Sequence, residues 1–244
     1  MCGITGYIGN SKASPILLKG LKRLEYRGYD SSGIAVLDSN EIKCFKKAGK
    51  ISELQSLLSK NDTLGTIGIA HTRWATHGTP NDHNSHPHLN ESGSIALVHN
   101  GIIENYGVIK ETLIRKGVTF KSETDTEVLV HLISAIYYQD KELSFEDAVR
   151  AALQEVVGAY GIVAICKDEP ENLIAARMGS PLVLGVGENE YFLASDASPL
   201  IGYTRNVIYL DDGEIVSLTK KSHNISTLKS KKILLKTLTE IDLS

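Results

Sequence analysis

The last third of the chain constrains its fold more than any other stretch. From Tyr160 onward the sequence is a succession of short apolar runs, at 162–166, 173–177, 182–186, 191–194, 207–210 and 215–218, each long enough for one strand. Asp211, Asp212 and Gly213 supply a turn between the last two. The first part of the chain adds strand patterns at 3–9, 33–37, 42–46, 66–71 and 94–98, with 38–41 as a hairpin connection.

Helical patterns stand in blocks among these strands rather than alternating with them. Ser14 and Pro15 open one helix, whose buried face carries Ile16, Leu17, Leu21 and Leu24. A short amphipathic helix follows at 51–58, and another at 108–116. Thr124 and Glu127 form a capping box that opens a helix over 128–138, with Val128, Leu129, Leu132 and Ile136 on its apolar face. Ser144 to Asp147 starts one more, running to Val157. Blocks of antiparallel-type strands and clustered helices predict the α+β class, with sheets covered by helices on their outer faces. At 244 residues and 42% hydrophobic content the chain can bury a substantial core.

Composition excludes several functions. A net charge of −3, no basic stripe and few aromatic residues argue against a nucleic-acid partner. The basic run Lys229 to Lys236 reads as a solvated strand or linker. No apolar run approaches the roughly 20 residues of a membrane span, and the N-terminus lacks signal-peptide character, so a cytoplasmic location is expected. Cys2, Cys44 and Cys166 make no disulfide framework, and Cys44 and Cys166 sit in apolar runs that point to the core.

Cys2 stands apart. If Met1 is trimmed, Cys2 carries a thiol and a free α-amine on one residue, with ordinary pKa values of roughly 8.5 and 7.7–8, so the amine can serve as base for the thiol. The other reading is a small apolar residue that begins the strand Gly3 to Gly9. An amide-cleaving cysteine also needs oxyanion donors, and Asn100 and Gly101 offer a side-chain amide and a glycine N–H where an apolar strand leaves into a polar turn. An ordinary Asn-Gly turn would look the same. Arg73 can hold a carboxylate with two hydrogen bonds and Asp125 can pair with an ammonium, although an acid in a first helical turn is favourable without any ligand. His83, His86 and His88 cluster as metal ligands sometimes do, but no cysteine or carboxylate stands at usable spacing and Pro87 interrupts them. We therefore expect no metal, and a loop at 72–87 whose His, Asn and Ser side chains bond one another. Trp74, the single tryptophan, suits either a packing anchor or a lid over a small ligand.

Taken together, the segments beginning at Cys2, at Leu24, at His71, at Asn84, at Leu97 and at Ser122 resemble the glutaminase domain of the glutamine:fructose-6-phosphate aminotransferases (glucosamine-6-phosphate synthases). The resemblance spans essentially the whole chain. Cys2 with Gly3 and Ile4 alone would also fit the amidotransferases that make phosphoribosylamine or asparagine. Glu25 to Asp30 together with His71 to Gly78 select the hexosamine type. The resemblance implies an N-terminal-nucleophile hydrolase fold, a four-layer αββα sandwich with two stacked antiparallel sheets. It implies Cys2 as nucleophile, its amine as general base, and Asn100 and Gly101 as the oxyanion hole. It further implies that Arg73 and Asp125 grip the two charged ends of L-glutamine. Thr76 and His77 belong to the glutamine loop, Trp74 shields the site, and Arg27 and His86 support it. No cofactor is implied. Residues 1–236 would form the glutaminase domain and 237–244 the start of a linker to a sugar-phosphate isomerase domain. In the family that domain receives the ammonia and the full-length enzyme is a homo-oligomer.

Overall fold

The computed structural model describes residues 2–74 and 80–241. In chain order the elements are β1 (Gly3–Ile8), α1 (Ala13–Arg23), β2 (Ser31–Asp38), β3 (Glu41–Ala48), α2 (Ile51–Ser59), β4 (Ile67–Arg73), β5 (His88–Leu89) and β6 (Ile95–Ile103). Then come α3 (Tyr106–Arg115), α4 (Asp125–Gln139), α5 (Phe145–Gln154), β7 (Gly158–Cys166), β8 (Leu173–Met178), β9 (Val183–Val186) and β10 (Tyr191–Ala194). The chain finishes with β11 (Asn206–Tyr209), β12 (Glu214–Leu218), β13 (His223–Thr227) and β14 (Thr239–Glu240).

The strands build two antiparallel sheets. One has eight strands in the order β14-β11-β9-β10-β1-β4-β2-β3, and the other has six in the order β13-β12-β8-β7-β6-β5. The period-two alternation of each strand decides what lies between and outside them. Ile4 and Ile8 of β1 point inward and join Val98, Val163, Ala175 and Leu193 in a core that both sheets share. Tyr7, one position out of phase, faces the opposite side and packs with Leu17 and Leu21 of α1 and Leu54 of α2. On the other outer face, Leu129 and Ile133 of α4 and Phe145 and Val149 of α5 cover Leu97, Ile162 and Ala164. The result is helix, sheet, sheet, helix, the four-layer αββα sandwich.

Side-chain caps mark the starts of two of the five described α-helices. Thr124 caps α4 by accepting from the Glu127 N–H at 3.2 Å, and Ser144 caps α5 by accepting from the Asp147 N–H at 3.2 Å. The expected reciprocal half of the first box is absent, because the Glu127 carboxylate instead accepts from the Lys121 and Ser122 N–H groups at 2.7 and 2.6 Å. Ser14 does not cap α1 either. The helix begins one residue earlier, at Ala13, and the Ser14 hydroxyl accepts from Thr63 at 3.0 Å. Beyond β13 the basic run is pinned to the domain, with Lys231 on Asp147 at 2.7 Å and Lys236 on Asp211 and Glu214 at 2.6 and 2.9 Å. Thr239 and Glu240 then pair with β11 at the edge of the larger sheet.

Candidate active site

Cys2 lies immediately before β1, whose first residue pairs with the end of β4 in the register Gly3 to Thr72. Two side-chain hydroxyls fasten this end of the strand: Thr72 accepts from the Gly3 N–H at 3.1 Å, and Ser195 accepts from the Ile4 N–H at 3.0 Å. Cys2 is thereby held beside Arg73 and Trp74, and its Sγ accepts from the Trp74 N–H at 3.2 Å. Burial pushes the Cys2 thiol up, with the Trp74 N–H and the Arg73 guanidinium acting against it. A thiol raised in this way is mostly protonated near neutrality, so attack requires a base at hand.

The second sheet supplies what faces Cys2. Strand β6 is buried from Ile95 to His99, then opens, with Asn100 half-buried and Gly101 and Ile102 exposed. Asn100 and Gly101 do not leave the strand into a turn as their sequence suggests. They continue it, paired with Gly161 and Tyr160 of β7. Gly101 has φ of 121°, and a Cβ there would lie 2.0 Å from the Ala159 carbonyl oxygen, so the strand can pass this point only with glycine. The Asn100 Nδ2 donates to the Cys2 carbonyl at 3.1 Å, while its Oδ1 lies 2.9 Å from His71 Nε2. These contacts tie the two sheets together at one end of the sandwich.

The start of α4 closes a third side. Asp125 accepts from the Ile103 N–H at 2.8 Å through one carboxylate oxygen, and its other oxygen is 3.9 Å from His99 Nδ1. Between these walls is a pocket of about 630 Å³, counting its open mouth, lined by Cys2, Arg73, Trp74, Asn100, Gly101 and Asp125. His86, expected to support the site, lines it too, and so do His71, His99, Thr126, Ile102 and Tyr106, which were given no role from the sequence. His71 and His99 fall in the segments that begin at His71 and Leu97, but a lone histidine carries no periodicity, and only their convergence on the pocket marks them.

Below the pocket the histidines stack. His86 lies on His71 with ring centroids 4.1 Å apart and planes 14° apart, and meets His88 edge-on at 4.8 Å. Burial holds His71 down to about 3 and His86 and His88 well below the usual imidazole range, so all three are neutral. Gly33 of β2 makes room for this arrangement, since a Cβ there would be 2.1 Å from the His86 carbonyl oxygen. His83 is exposed instead, and among the described residues no group of three or more His, Cys, Asp and Glu is arranged to hold a metal ion. The loop's polar side chains bond mainly to backbone and to a neighbouring segment rather than to one another: Asn81 Oδ1 accepts from the Asn84 N–H, the Ser85 hydroxyl donates to the Asn81 carbonyl, and Asn84 exchanges two hydrogen bonds with Glu123 at 3.0 Å each.

Arg27 lies outside the pocket. It forms an ion pair with Asp196, which also accepts from the Tyr26 hydroxyl at 2.6 Å, and so joins the turn before β2 to the end of β10. Trp74 is 52% exposed, with its ring against Gly28. Thr76 and His77 lie outside the described residues. Of the remaining cysteines, Cys166 is buried and Cys44 is half-buried, packed against the shared core.

Two helix-covered antiparallel sheets with a cysteine at the mouth between them define the N-terminal-nucleophile hydrolase class. The glutamine amidotransferase domain matches residues 71–202, and the chain belongs to that family. It is 53% identical over 247 residues to the glutamine–fructose-6-phosphate aminotransferase (isomerizing) of Chlorobaculum tepidum, covering 100% of this chain and 40% of that protein. With the enzyme of the same name from Bacteroides thetaiotaomicron it is 56% identical, covering 90% of this chain and 36% of that protein. The chain thus spans well under half the length of these relatives. Among solved structures, the glutamine phosphoribosylpyrophosphate amidotransferase from B. subtilis superposes with a TM-score of 0.80 at 27% identity, over 95% of this chain and 50% of that one.

Proposed function

We propose that this chain is the glutaminase part of a glutamine:fructose-6-phosphate aminotransferase, hydrolysing L-glutamine to glutamate and ammonia. The observation that carries the reading is the meeting of Cys2, just before β1, with Asn100 and Gly101 of β6, Arg73 of β4 and Asp125 of α4 around one pocket. An amino acid has two charged ends, and the pocket lining offers the Arg73 guanidinium for one and the carboxylates of Asp125 and Glu123 for the other, Glu123 already accepting from Asn84. The side-chain amide of glutamine would then reach the thiol.

In the mechanism, the α-amine of Cys2, free once Met1 is removed, takes the thiol proton. Sulfur bonds to the amide carbon, and the carbonyl electron pair moves onto oxygen. Asn100 Nδ2 and the Gly101 N–H are the donors for that oxyanion. Its collapse breaks the carbon–nitrogen bond, the amine passes its proton to the departing ammonia, and a γ-glutamyl thioester remains. Water attacks the thioester, giving its proton to the same amine, and glutamate leaves as the thiol is restored. The Trp74 side of the pocket would shield these steps, with Thr76 and His77 contributing to glutamine binding. His86 would support the site from within the pocket wall and Arg27 from outside it.

The relatives' greater length supports a further part of the reading, a sugar-phosphate isomerase domain that follows a linker near residue 237 and uses the ammonia to make glucosamine 6-phosphate within a homo-oligomer. Free cysteines and the lack of any described helix long and apolar enough to cross a membrane suit a cytoplasmic enzyme. The test is ammonia and glutamate release by the processed chain, with intact mass measured before and after a glutamine-analogue electrophile. We expect loss of Met1, one adduct on Cys2, and a fall in turnover of at least about 10³-fold in Cys2→Ala with the fold retained. A fully active Ala variant would overturn the mechanism. Glucosamine 6-phosphate made by this chain unaided would overturn the two-domain division.

A further inference from the structure

Asn100 can serve an oxyanion only if its amide points the right way. The two ends of an Asn side chain have nearly the same shape, so a flipped amide fills the same space while turning an acceptor toward the reacting carbonyl. Two neighbours decide between the orientations. The Cys2 carbonyl, 3.1 Å away, can only accept and so selects the NH2 end. On the far side, His71 Nε2 is 2.9 Å from Oδ1, and it favours the same orientation only if it carries the ring's proton. An Nδ1-protonated ring would present a lone pair there and pull the NH2 end away from Cys2.

Several observations bear on which tautomer exists. His71 Nδ1 has no partner in hydrogen-bonding geometry, although the His99 backbone acts on the ring to raise its pKa. The tautomer is therefore decided on the other nitrogen: with the NH2 end of Asn100 held by the Cys2 carbonyl, Oδ1 faces Nε2 and calls for its proton. The ring is clamped by the stacked His86 ring, itself fixed by accepting from the His99 N–H at Nδ1, at 3.4 Å. Burial keeps His71 neutral, which leaves one proton to place. We propose that His71 is a positioning residue for the amidase reaction: its Nε2–H, held by the His86 stack, locks the Asn100 amide with its N–H groups toward Cys2 and the developing oxyanion.

The inference rests on the glutaminase reading for its kinetic consequence, but its structural core does not. The first measurement is therefore ¹⁵N NMR of the histidine rings in the unmutated, processed chain. An Nε2-protonated His71 is expected, and an Nδ1-protonated ring overturns the proposal whether or not the chain is active. The second compares glutamine hydrolysis in His71→Leu and His71→Gln. Leu removes the donor, whereas the Gln amide can place a nitrogen where Nε2 stood. His71→Leu should lose about 10²-fold in kcat, the order of one oxyanion donor, with KM within about twofold and with unchanged alkylation of Cys2 by iodoacetamide. His71→Gln should recover most of the loss. In an Asn100→Ala background, His71→Leu should cost less than about threefold more, because the group it positions is gone. A purely structural role would lower Cys2 alkylation and stability and add fully to Asn100→Ala. That result, or equal losses in Leu and Gln, overturns the proposal. An inactive wild-type chain with an Nε2-protonated His71 would sink the glutaminase reading and leave the positioning contact standing.

Discussion

Asn100 and Cys2, 98 positions apart in sequence, share a 3.1 Å hydrogen bond from side-chain amide to backbone carbonyl. One residue belongs to the six-stranded sheet, and the other leads into the eight-stranded one. The proposed nucleophile and the proposed donor to its oxyanion therefore sit on different layers, and the core between the sheets sets their separation. Ile4 of β1 and Val98 of β6, each two residues from its partner in that bond, are both fully buried there. Close-packed interiors transmit small displacements, so errors in this core would be felt at the site.

Replacing Asp125 by Asn removes a charge and keeps a shape. The Asn carbonyl can still accept from the Ile103 N–H, so α4 should stay docked. What disappears is the carboxylate offered to a substrate ammonium. We expect KM for glutamine to rise by about tenfold to a hundredfold, equivalent to roughly 1.4–2.7 kcal/mol, with melting temperature nearly unchanged. Steady-state kinetics would show it, and an unaltered KM would remove Asp125 from the binding site.

Gly101→Ala should damage both fold and activity. The backbone there has φ of 121°, and the new Cβ would lie 2.0 Å from the Ala159 carbonyl oxygen, an atom of the neighbouring strand that cannot rotate aside. A destabilisation of about 2–3 kcal/mol is expected, lowering the melting temperature by roughly 5–10 °C for a domain of this size. Calorimetry decides the matter. A variant as stable as the parent would mean that β6 and β7 can separate at this point.

Acid should unfold the protein from the histidines outward. Burial holds His71 at about 3, and His86 and His88 well down, whereas the unfolded chain protonates these rings near 6.5. The unfolded state therefore binds more protons below about pH 6.5, and stability falls as pH drops from there toward the folded values, by up to about 1.4 kcal/mol per pH unit for each ring. Glu127 adds to the loss lower down. Burial acts to raise it, but His131, Ser122 and the Lys121 N–H pull it to about 2, so its contribution is present above about pH 4.5 and is lost below. Urea midpoints measured between pH 8 and 4 should be flat at first, then decline below about 6.5. A constant midpoint down to pH 5 would contradict the neutral, buried state of these rings.

Much of the fold was legible because apolar periodicity is a local signal. The runs at 162–166, 173–177 and 191–194 all lie within observed strands, and Thr124 and Ser144 cap the helices they announced. Two-residue strands such as β5 and β14 left no trace, since a pair of residues has no period. Asn100 and Gly101 read as a turn for a different reason. Their residue types suit one, and only the β7 partner strand keeps them extended. Likewise Glu127 had the spacing of a capping box, but the Lys121 and Ser122 N–H groups reached its carboxylate first.

The sequence by itself determined the residue types of the chemistry: a cysteine in the second position, an Asn-Gly pair at the end of an apolar run, and an arginine and an aspartate able to hold opposite charges. Its pattern of elements also determined the α+β class, because alternation fixes which strand faces are apolar and the strands come in blocks rather than alternating with helices, while the αββα layering was implied by the family resemblance. Only the tertiary structure decided that these residues share one pocket, that His71 touches Asn100, and that His86 lies beneath it. Those contacts join strands from two sheets. They depend on register and on packing across the core, which involve residues far apart in the chain and leave no mark on any single stretch of it.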